Sequence, residues 1–176
     1  MDFLQLAQSR RSVRKFTAQA VSQEHILTLL AAMQAAPSAG NCQPWHMYVV
    51  RDEAVRAQLA EMAWRQTFIQ AAPVVIVVCA DLERNAQRYG ERGVGLYCIQ
   101  DTAAAIQNLL LCAKSLGLGA CWCGAFDEQA VAEKLNMPPH LRPVAVIPVG
   151  HPDGMPDGTQ NRRPLDDTAT FVEPTK

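Results

Sequence analysis

Residues 97–116 constrain the fold of this chain most strongly, because they are apolar around nearly the whole circumference of a helix. One apolar stripe at helical spacing consists of Ile99, Ala103, Ile106, Leu110 and Ala113. Three neighbouring apolar residues make the stripe wider: Leu109, Leu111 and Cys112. A helix with so little polar surface is typical of the centre of a protein. Residues 74–80 are also continuously apolar, which predicts a strand covered on both faces.

The remaining patterns place short helices and strands around these two segments. We predict helices over residues 2–9, 23–36, 53–66, 97–116 and 127–135, strands over residues 46–50, 74–80 and 144–150, and a strand or turn over residues 120–126. Ser22 is the predicted N-cap of the second helix. Residues 81–95 are charged and contain several glycines, so we expect a loop there. This order predicts one α+β or α/β domain over residues 1–176 with a small central sheet.

Composition excludes several classes of protein. Lys+Arg 16 against Asp+Glu 17 gives a net charge of −1, which argues against general nucleic-acid binding. The longest apolar run, residues 71–80, is far shorter than the roughly 20 residues of a membrane span. The first residues lack the apolar core of a secretory signal, and six cysteines suit free thiols in a reducing compartment. We therefore expect a cytoplasmic protein.

A basic segment at the N-terminus is the first candidate site. Arg10, Arg11, Arg14 and Lys15 crowd four cations together, and Ser12 adds a hydroxyl. Guanidinium groups bind phosphate through paired N–H donors, so this segment is a candidate phosphate site. A solvated basic surface is the alternative.

A polar loop over residues 36–45, with the sequence APSAGNCQPW, is the second candidate site. Its prolines and glycine are ordinary turn formers, so a simple connector between a helix and a strand is one interpretation. However, Asn41 and Gln43 each offer paired amide donors and an acceptor, which suit the edge of a heterocycle. Ser38 adds a hydroxyl outside any nucleophile-elbow motif.

The cysteines and the other polar residues form no recognisable catalytic set. Cys121 and Cys123 are separated by one residue, and no further His or Cys lies nearby at metal-ligand spacing, so we predict no metal site. Buried, inert thiols are the simpler interpretation, and a cysteine-based redox protein is the alternative. A protein with arginines and amides but no side-chain acid, base or nucleophile is expected to take its chemistry from a cofactor.

Four segments together resemble the nitroreductase family of FMN enzymes. They are RRSVRKF, then PSAGNCQPWHMYVV, then QNLLLCAKSLGLGACW, then a C-terminal RRPL, and they span nearly the whole chain in the family's order. The resemblance implies a three-layer α-β-α fold with a small mixed sheet. It also implies an intertwined homodimer whose C-terminal arm, residues 151–176, wraps the partner.

The resemblance also assigns roles to individual residues. It implies that Arg10 and Arg162 bind the FMN phosphate, that Arg14 lies near the flavin pyrimidine edge, and that Arg163 is a weaker candidate. The loop residues would contact the flavin from across the dimer interface, and the backbone after residue 121 would face N5 and O4. The implied cofactor-binding residues are Arg10, Arg11, Ser12, Arg14, Pro37, Ser38, Asn41, Gln43, Trp122, Cys123, Gly124, Ala125, Arg162 and Arg163.

The implied activity is ping-pong hydride transfer, with FMN bound non-covalently and NAD(P)H as the co-substrate. The electron acceptor would be a small molecule such as a nitroaromatic or a quinone. Chemistry would reside on flavin N5, with no side chain acting as acid or base. A flavin-binding protein without nicotinamide turnover, serving as a carrier or sensor, is the alternative. The shortness of residues 81–95 leaves no inserted helices to cap the flavin.

Overall fold

The computed structural model describes residues 2–154 and 161–172 and is built around a four-stranded sheet. Its strands are β1 (Trp45–Val50), β2 (Val74–Asp81), β3 (Gly119–Ala120) and β4 (Leu141–Gly150). They lie in the order β1-β2-β4-β3, and every neighbouring pair of strands is antiparallel. The predicted strands at residues 46–50, 74–80 and 144–150 are all confirmed. The strand or turn predicted over residues 120–126 overlaps β3 only at Ala120, and Cys123 then forms an isolated bridge with Val146.

The expected mixed sheet is corrected to an antiparallel one. Among the described residues, the only parallel pairing is an isolated bridge between Ser12 and Ala120. A strand that is covered on both faces is continuously apolar whether its neighbours run parallel or antiparallel. The pattern of β2 therefore predicted its burial but carried no information on strand direction.

Seven helices surround the sheet in the described part of the chain. They are α1 (Phe3–Ser9), α2 (Gln23–Gln34), α3 (Glu53–Met62), α4 (Phe68–Ala71), α5 (Leu82–Arg92), α6 (Cys98–Ser115) and α7 (Glu128–Lys134). Ser22 caps α2 as predicted, because its hydroxyl accepts a hydrogen bond from the His25 N–H at 3.1 Å. The helix predicted over residues 53–66 ends earlier, at Met62, and Trp64 and Arg65 adopt left-handed backbone conformations.

Helices cover both faces of the sheet, which confirms the α+β class and the three layers. Val74, Ile76 and Val78 of β2 pack into a core with α2 and α6. The alternate residues of the same strand, such as Val75 and Val77, pack into a second core with α3, α4 and α7. The apolar helix predicted over residues 97–116 is α6, and half of its residues are buried.

The segment predicted as a loop over residues 81–95 is helical, and this prediction is wrong. The Asp81 carboxylate accepts a hydrogen bond from the Arg84 N–H and caps α5. After Gly90, whose φ is +55°, a short π-helical turn over Gly93–Tyr97 leads directly into α6. The charged residues form the solvent-facing side of an amphipathic helix, a pattern that resembles a loop when only polarity is considered.

Candidate functional site

The basic segment runs along one edge of the sheet. The Val13 N–H donates to the Ala120 carbonyl at 3.0 Å, and the Thr17 N–H donates to the His151 carbonyl at 2.9 Å. Val13 is buried against Gly119, while Ser12 is half-buried and Arg14 is exposed. Because the backbone is extended, Ser12 and Arg14 lie on one side of the segment and Val13 on the other.

Three arginines converge at the start of this segment. Burial lowers the pKa of Arg10, and repulsion from Arg162 and then from Arg11 lowers it further. Like charges in close proximity disfavour the charged form of Arg10, and an anion bound beside it would offset that repulsion. The structure therefore brings Arg162 of the C-terminal arm to the N-terminal arginines, as a shared phosphate site requires.

Arg163 points elsewhere. It is exposed and donates a hydrogen bond at 2.6 Å to the Asp167 carbonyl, within the short 3-10 helix of the arm over Leu165–Asp167. Residues 161–172 of the arm are all exposed, including the apolar side chains of Leu165, Phe171 and Val172, whereas His151 and Pro152 at its start are half-buried. Residues 155–160 and 173–176 of the predicted arm lie outside the described residues.

The polar loop has a strained backbone. Gly40, Asn41 and Gln43 have φ values of +55°, +56° and +50°, and the left-handed region is unfavourable for residues other than glycine. The Gln43 N–H donates to the Ser38 hydroxyl at 2.9 Å, and the Gln43 amide donates to the Asn41 amide oxygen at 3.2 Å. Pro37, Asn41 and Gln43 are exposed. Strain at exposed amides, fixed by internal hydrogen bonds, is common at ligand sites.

Helices α5 and α6 hold this loop in place through residues that sequence reasoning did not identify. The buried Asp101 carboxylate accepts hydrogen bonds from the Ala39 N–H at 3.0 Å and from the Asn85 amide at 3.1 Å. Arg84 donates to the Cys42 carbonyl at 3.0 Å, and Arg88 donates to the Gly40 carbonyl at 2.9 Å. The available signal was the spacing of the two arginines by four residues, which places them on one helical face.

The segment after Cys121 presents backbone donors. Cys123 uses both its N–H and its carbonyl to pair with Val146, at 3.1 and 2.9 Å. Trp122 and Gly124 are exposed, and their N–H groups form no hydrogen bond with any described residue. Ala125 is also exposed, and its carbonyl accepts a hydrogen bond from Gln66. Alternate residues of an extended segment point in opposite directions. The bridge to Val146 therefore uses the backbone N–H of Cys123, and the N–H groups of Trp122 and Gly124 form no hydrogen bond with any described residue.

The two thiols of this segment are buried beside the arginines. The neighbouring Cys123 thiol lowers the pKa of Cys121, burial opposes this effect, and Arg14, the Ser12 hydroxyl and Arg10 contribute smaller decreases. Cys121 is 2% exposed and Cys123 4% exposed, which limits their access to solutes. No described group of His, Cys, Asp or Glu side chains has the arrangement of a metal site.

The two candidate sites contact opposite ends of α6. Ala39 of the loop binds Asp101, in the first turn of the helix. A cavity of about 230 Å³ beside Arg10 and Arg11 is lined by Leu110 and Lys114, in its last two turns. With a rise of 1.5 Å per residue, these contacts are about 14–20 Å apart along the helix. One chain therefore holds the two groups of residues well separated.

Comparisons with known proteins agree with this architecture. A family model described as the nitroreductase family matches residues 7–70 and 58–151. A protein of Methanothermobacter thermautotrophicus, provisionally named NADH dehydrogenase/NAD(P)H nitroreductase, is 36% identical over 92% of this chain and 82% of its own length. The FMN reductase (NADPH) of Bacillus subtilis is 31% identical over 89% of this chain and 68% of its own.

A solved structure has the same fold. The NADPH:FMN oxidoreductase from Vibrio harveyi, complexed with NAD+, superposes with a TM-score of 0.87 at 28% identity, over 98% of this chain and 78% of that one. The layers around the sheet and the arginine-rich edge thus define an α-β-α protein of the nitroreductase type. The chain belongs to the nitroreductase family. None of the described helices has the length and apolarity needed to cross a membrane.

Proposed function

We propose that this protein is an FMN-dependent oxidoreductase that transfers hydride from NAD(P)H to nitroaromatic, quinone or related acceptors. The observation that carries the proposal is the convergence of Arg10, Arg11 and Arg162, since like-charged guanidinium groups at one place favour a bound anion. The names of the relatives support the choice of ligand: one is an FMN reductase (NADPH), and another is an NADPH:FMN oxidoreductase.

The residues of this chain fit a phosphorylated flavin at both ends. Arg10 and Arg162 neutralise the phosphate, with Arg11 beside them, and Ser12 offers a hydroxyl to the chain between phosphate and ring. Arg14, which is exposed and lies over the Phe68 ring, would place a positive charge near the flavin ring, where negative charge accumulates on reduction. Trp122 and Gly124 supply unused N–H donors for the N5 and O4 edge, next to Cys123 and Ala125.

The loop supplies the remaining contacts from a second copy of the chain. Pro37, Ser38, Asn41 and Gln43 lie near the first turn of α6, about 14–20 Å along the helix from the residues that line the cavity beside Arg10. A two-fold symmetric dimer that places the N-terminal end of α6 near the C-terminal end of its copy brings each loop to the partner's arginines. Exposed apolar side chains on α1 and on the arm, such as Phe3, Leu4 and Phe171, suit such an interface.

When bound, FMN would supply the redox chemistry, which is hydride uptake from NAD(P)H and hydride delivery to the acceptor. This chain's contribution would be to hold the ring in a fixed position that NAD(P)H and the acceptor reach in turn. Successive use of one site by the two substrates would give ping-pong kinetics.

Steady-state turnover tests the proposal. Purified protein supplied with FMN should oxidise NADH or NADPH only when a nitroaromatic or quinone acceptor is present, with parallel double-reciprocal plots. The matched control is protein carrying Arg10→Ala and Arg162→Ala, which should retain its fold and lose the activity at limiting FMN. Absence of turnover with every acceptor, despite tight FMN binding, would favour a flavin carrier or sensor and contradict the proposed enzyme.

A further inference from the structure

The cavity beside the N-terminal arginines is lined by one further basic side chain, Lys114, to which the sequence pattern assigned no role. It lies between residues 9–13, the end of α6 and residues 117–120, and it has a volume of about 230 Å³. Three of its lining side chains are charged, and all three are basic: Arg10, Arg11 and Lys114. None of the described residues that line it is acidic. The field inside the cavity therefore favours an anion.

Lys114 is directed to this cavity by the geometry of α6. Leu110 also lines the cavity, and residues four apart lie on the same face of a helix. Lys114 is half-buried and forms no hydrogen bond or ion pair with any described residue. Its charge stabilises the C-terminal end of the helix, as cations in a last turn generally do. That role alone does not require a position on the cavity wall.

Arg10 connects Lys114 to the arginine cluster. It lines the same cavity and lies close enough to Arg162 and Arg11 for their charges to lower its pKa. A phosphate monoester carries between one and two negative charges near neutral pH and has three acceptor oxygens. A ligand of that charge matches a set of three arginines and one lysine better than a neutral hydroxyl group does.

We propose that Lys114 binds the phosphate of the flavin and makes the site select FMN over riboflavin. The proposal rests on the proposed function, since it needs a bound flavin. Lys114 acts as a point charge on the phosphate, while the arginines orient that group through paired N–H donors. Riboflavin lacks the phosphate, so Lys114 contributes nothing to its affinity.

Flavin binding by the full-length protein tests this assignment. Dissociation constants for FMN and for riboflavin are measured by quenching of flavin fluorescence, for wild type and for Lys114→Gln. We expect Lys114→Gln to weaken FMN binding about tenfold and to leave riboflavin binding unchanged, because one charge-assisted interaction with the phosphate is lost. Lys114→Arg should retain most of the FMN affinity.

Lys134 provides a matched control. It is also half-buried, lies in the last turn of its helix, α7, and is not among the residues that line the cavity. Lys134→Gln should leave both affinities unchanged. Equal weakening of FMN and riboflavin by Lys114→Gln, or no weakening of either, would overturn the assignment. If wild type binds neither flavin, the proposed function itself fails, which is a different result from a loss confined to Lys114→Gln.

Discussion

At the scale of single residues, Gly119 sets how closely the basic segment approaches the sheet. A Cβ atom at this position would lie 2.6 Å from the Cβ of Val13, which is closer than real Cβ contacts allow. Val13 is fixed by its backbone hydrogen bond to Ala120 and has no flexible end that could move aside. A side chain at residue 119 would therefore displace the segment that carries Arg10 and Arg14.

We predict that Gly119→Ala lowers the free energy of unfolding by about 1–3 kcal/mol, the usual range for an overpacked buried site. Urea unfolding followed by circular dichroism measures the change. Gly95→Ala is the control, because nothing lies within 4 Å of a Cβ at that position and its φ is not left-handed. A Gly119→Ala protein as stable as wild type would show that the segment shifts freely.

Arg162 and Arg163 are adjacent in sequence but differ in their surroundings. The positive charge of Arg162 lowers the pKa of Arg10, whereas Arg163 donates a hydrogen bond to a backbone carbonyl of its own arm. We predict that Arg162→Ala weakens FMN binding by about tenfold, as expected for a lost guanidinium–phosphate contact. Arg163→Ala should change it by less than about twofold. Flavin fluorescence titration measures both, and equal losses would show that the two arginines share the role.

Much of the candidate site could be proposed from the sequence, because its chemistry lies in residue types. Arginines near a hydroxyl indicate phosphate binding, and adjacent amides indicate a polar ring edge. The supporting residues were not predictable in this way. Asp101 is one acid in an apolar helix, and only the fold brings it to Ala39 from 62 residues away. The same holds for Lys114, whose role depends on which face of α6 borders the cavity.

At the scale of elements, α5 serves as the support of the polar loop. Its arginines donate to loop carbonyls, and a Cβ at Gly40 would lie 2.4 Å from the Tyr89 hydroxyl. The helix was predicted as a loop because its cap, Asp81, ends a strand and its outer face is charged. Polarity and glycine content alone do not distinguish a solvated helix from a loop. Helices with apolar periodicity, such as α2 and α6, were predictable within two residues at each end.

We predict that Arg88→Ala weakens FMN binding about threefold to tenfold, because the strained loop loses a hydrogen bond that fixes the Gly40 carbonyl. Arg92→Ala is a close control. Arg92 lies one turn later and also stacks on a tyrosine, but it binds the Tyr97 hydroxyl rather than the loop. Fluorescence titration with FMN measures both variants. If the two substitutions weakened FMN binding equally, the loss would be due to a less stable helix and not to a displaced loop.

At the scale of the whole molecule, the proposed two-fold dimer brings the loop of one chain to the arginines of the other, so each flavin site is shared between two chains. We predict that two inactive variants restore activity when they form mixed dimers. One carries Arg10→Ala and Arg162→Ala, and the other carries Asn41→Ala and Gln43→Ala. Each mixed dimer then contains one intact site and one doubly altered site.

Random exchange of subunits makes half of the dimers mixed, so about a quarter of wild-type activity should return. The two variants are unfolded together, refolded and assayed at limiting FMN, with each variant refolded alone as the control. No recovery in the mixture, with dimers confirmed by light scattering, would mean that each flavin contacts one chain only.

The absorption spectrum of the purified protein, followed during anaerobic addition of NADH and then NADPH, determines whether this chain is an FMN-dependent oxidoreductase. We predict oxidised-flavin bands in the protein as isolated or after addition of FMN, and loss of those bands when either nucleotide is added. A protein that takes up no FMN would contradict the assignment of the arginine cluster. A bound flavin that neither nucleotide bleaches would contradict the proposed oxidoreductase.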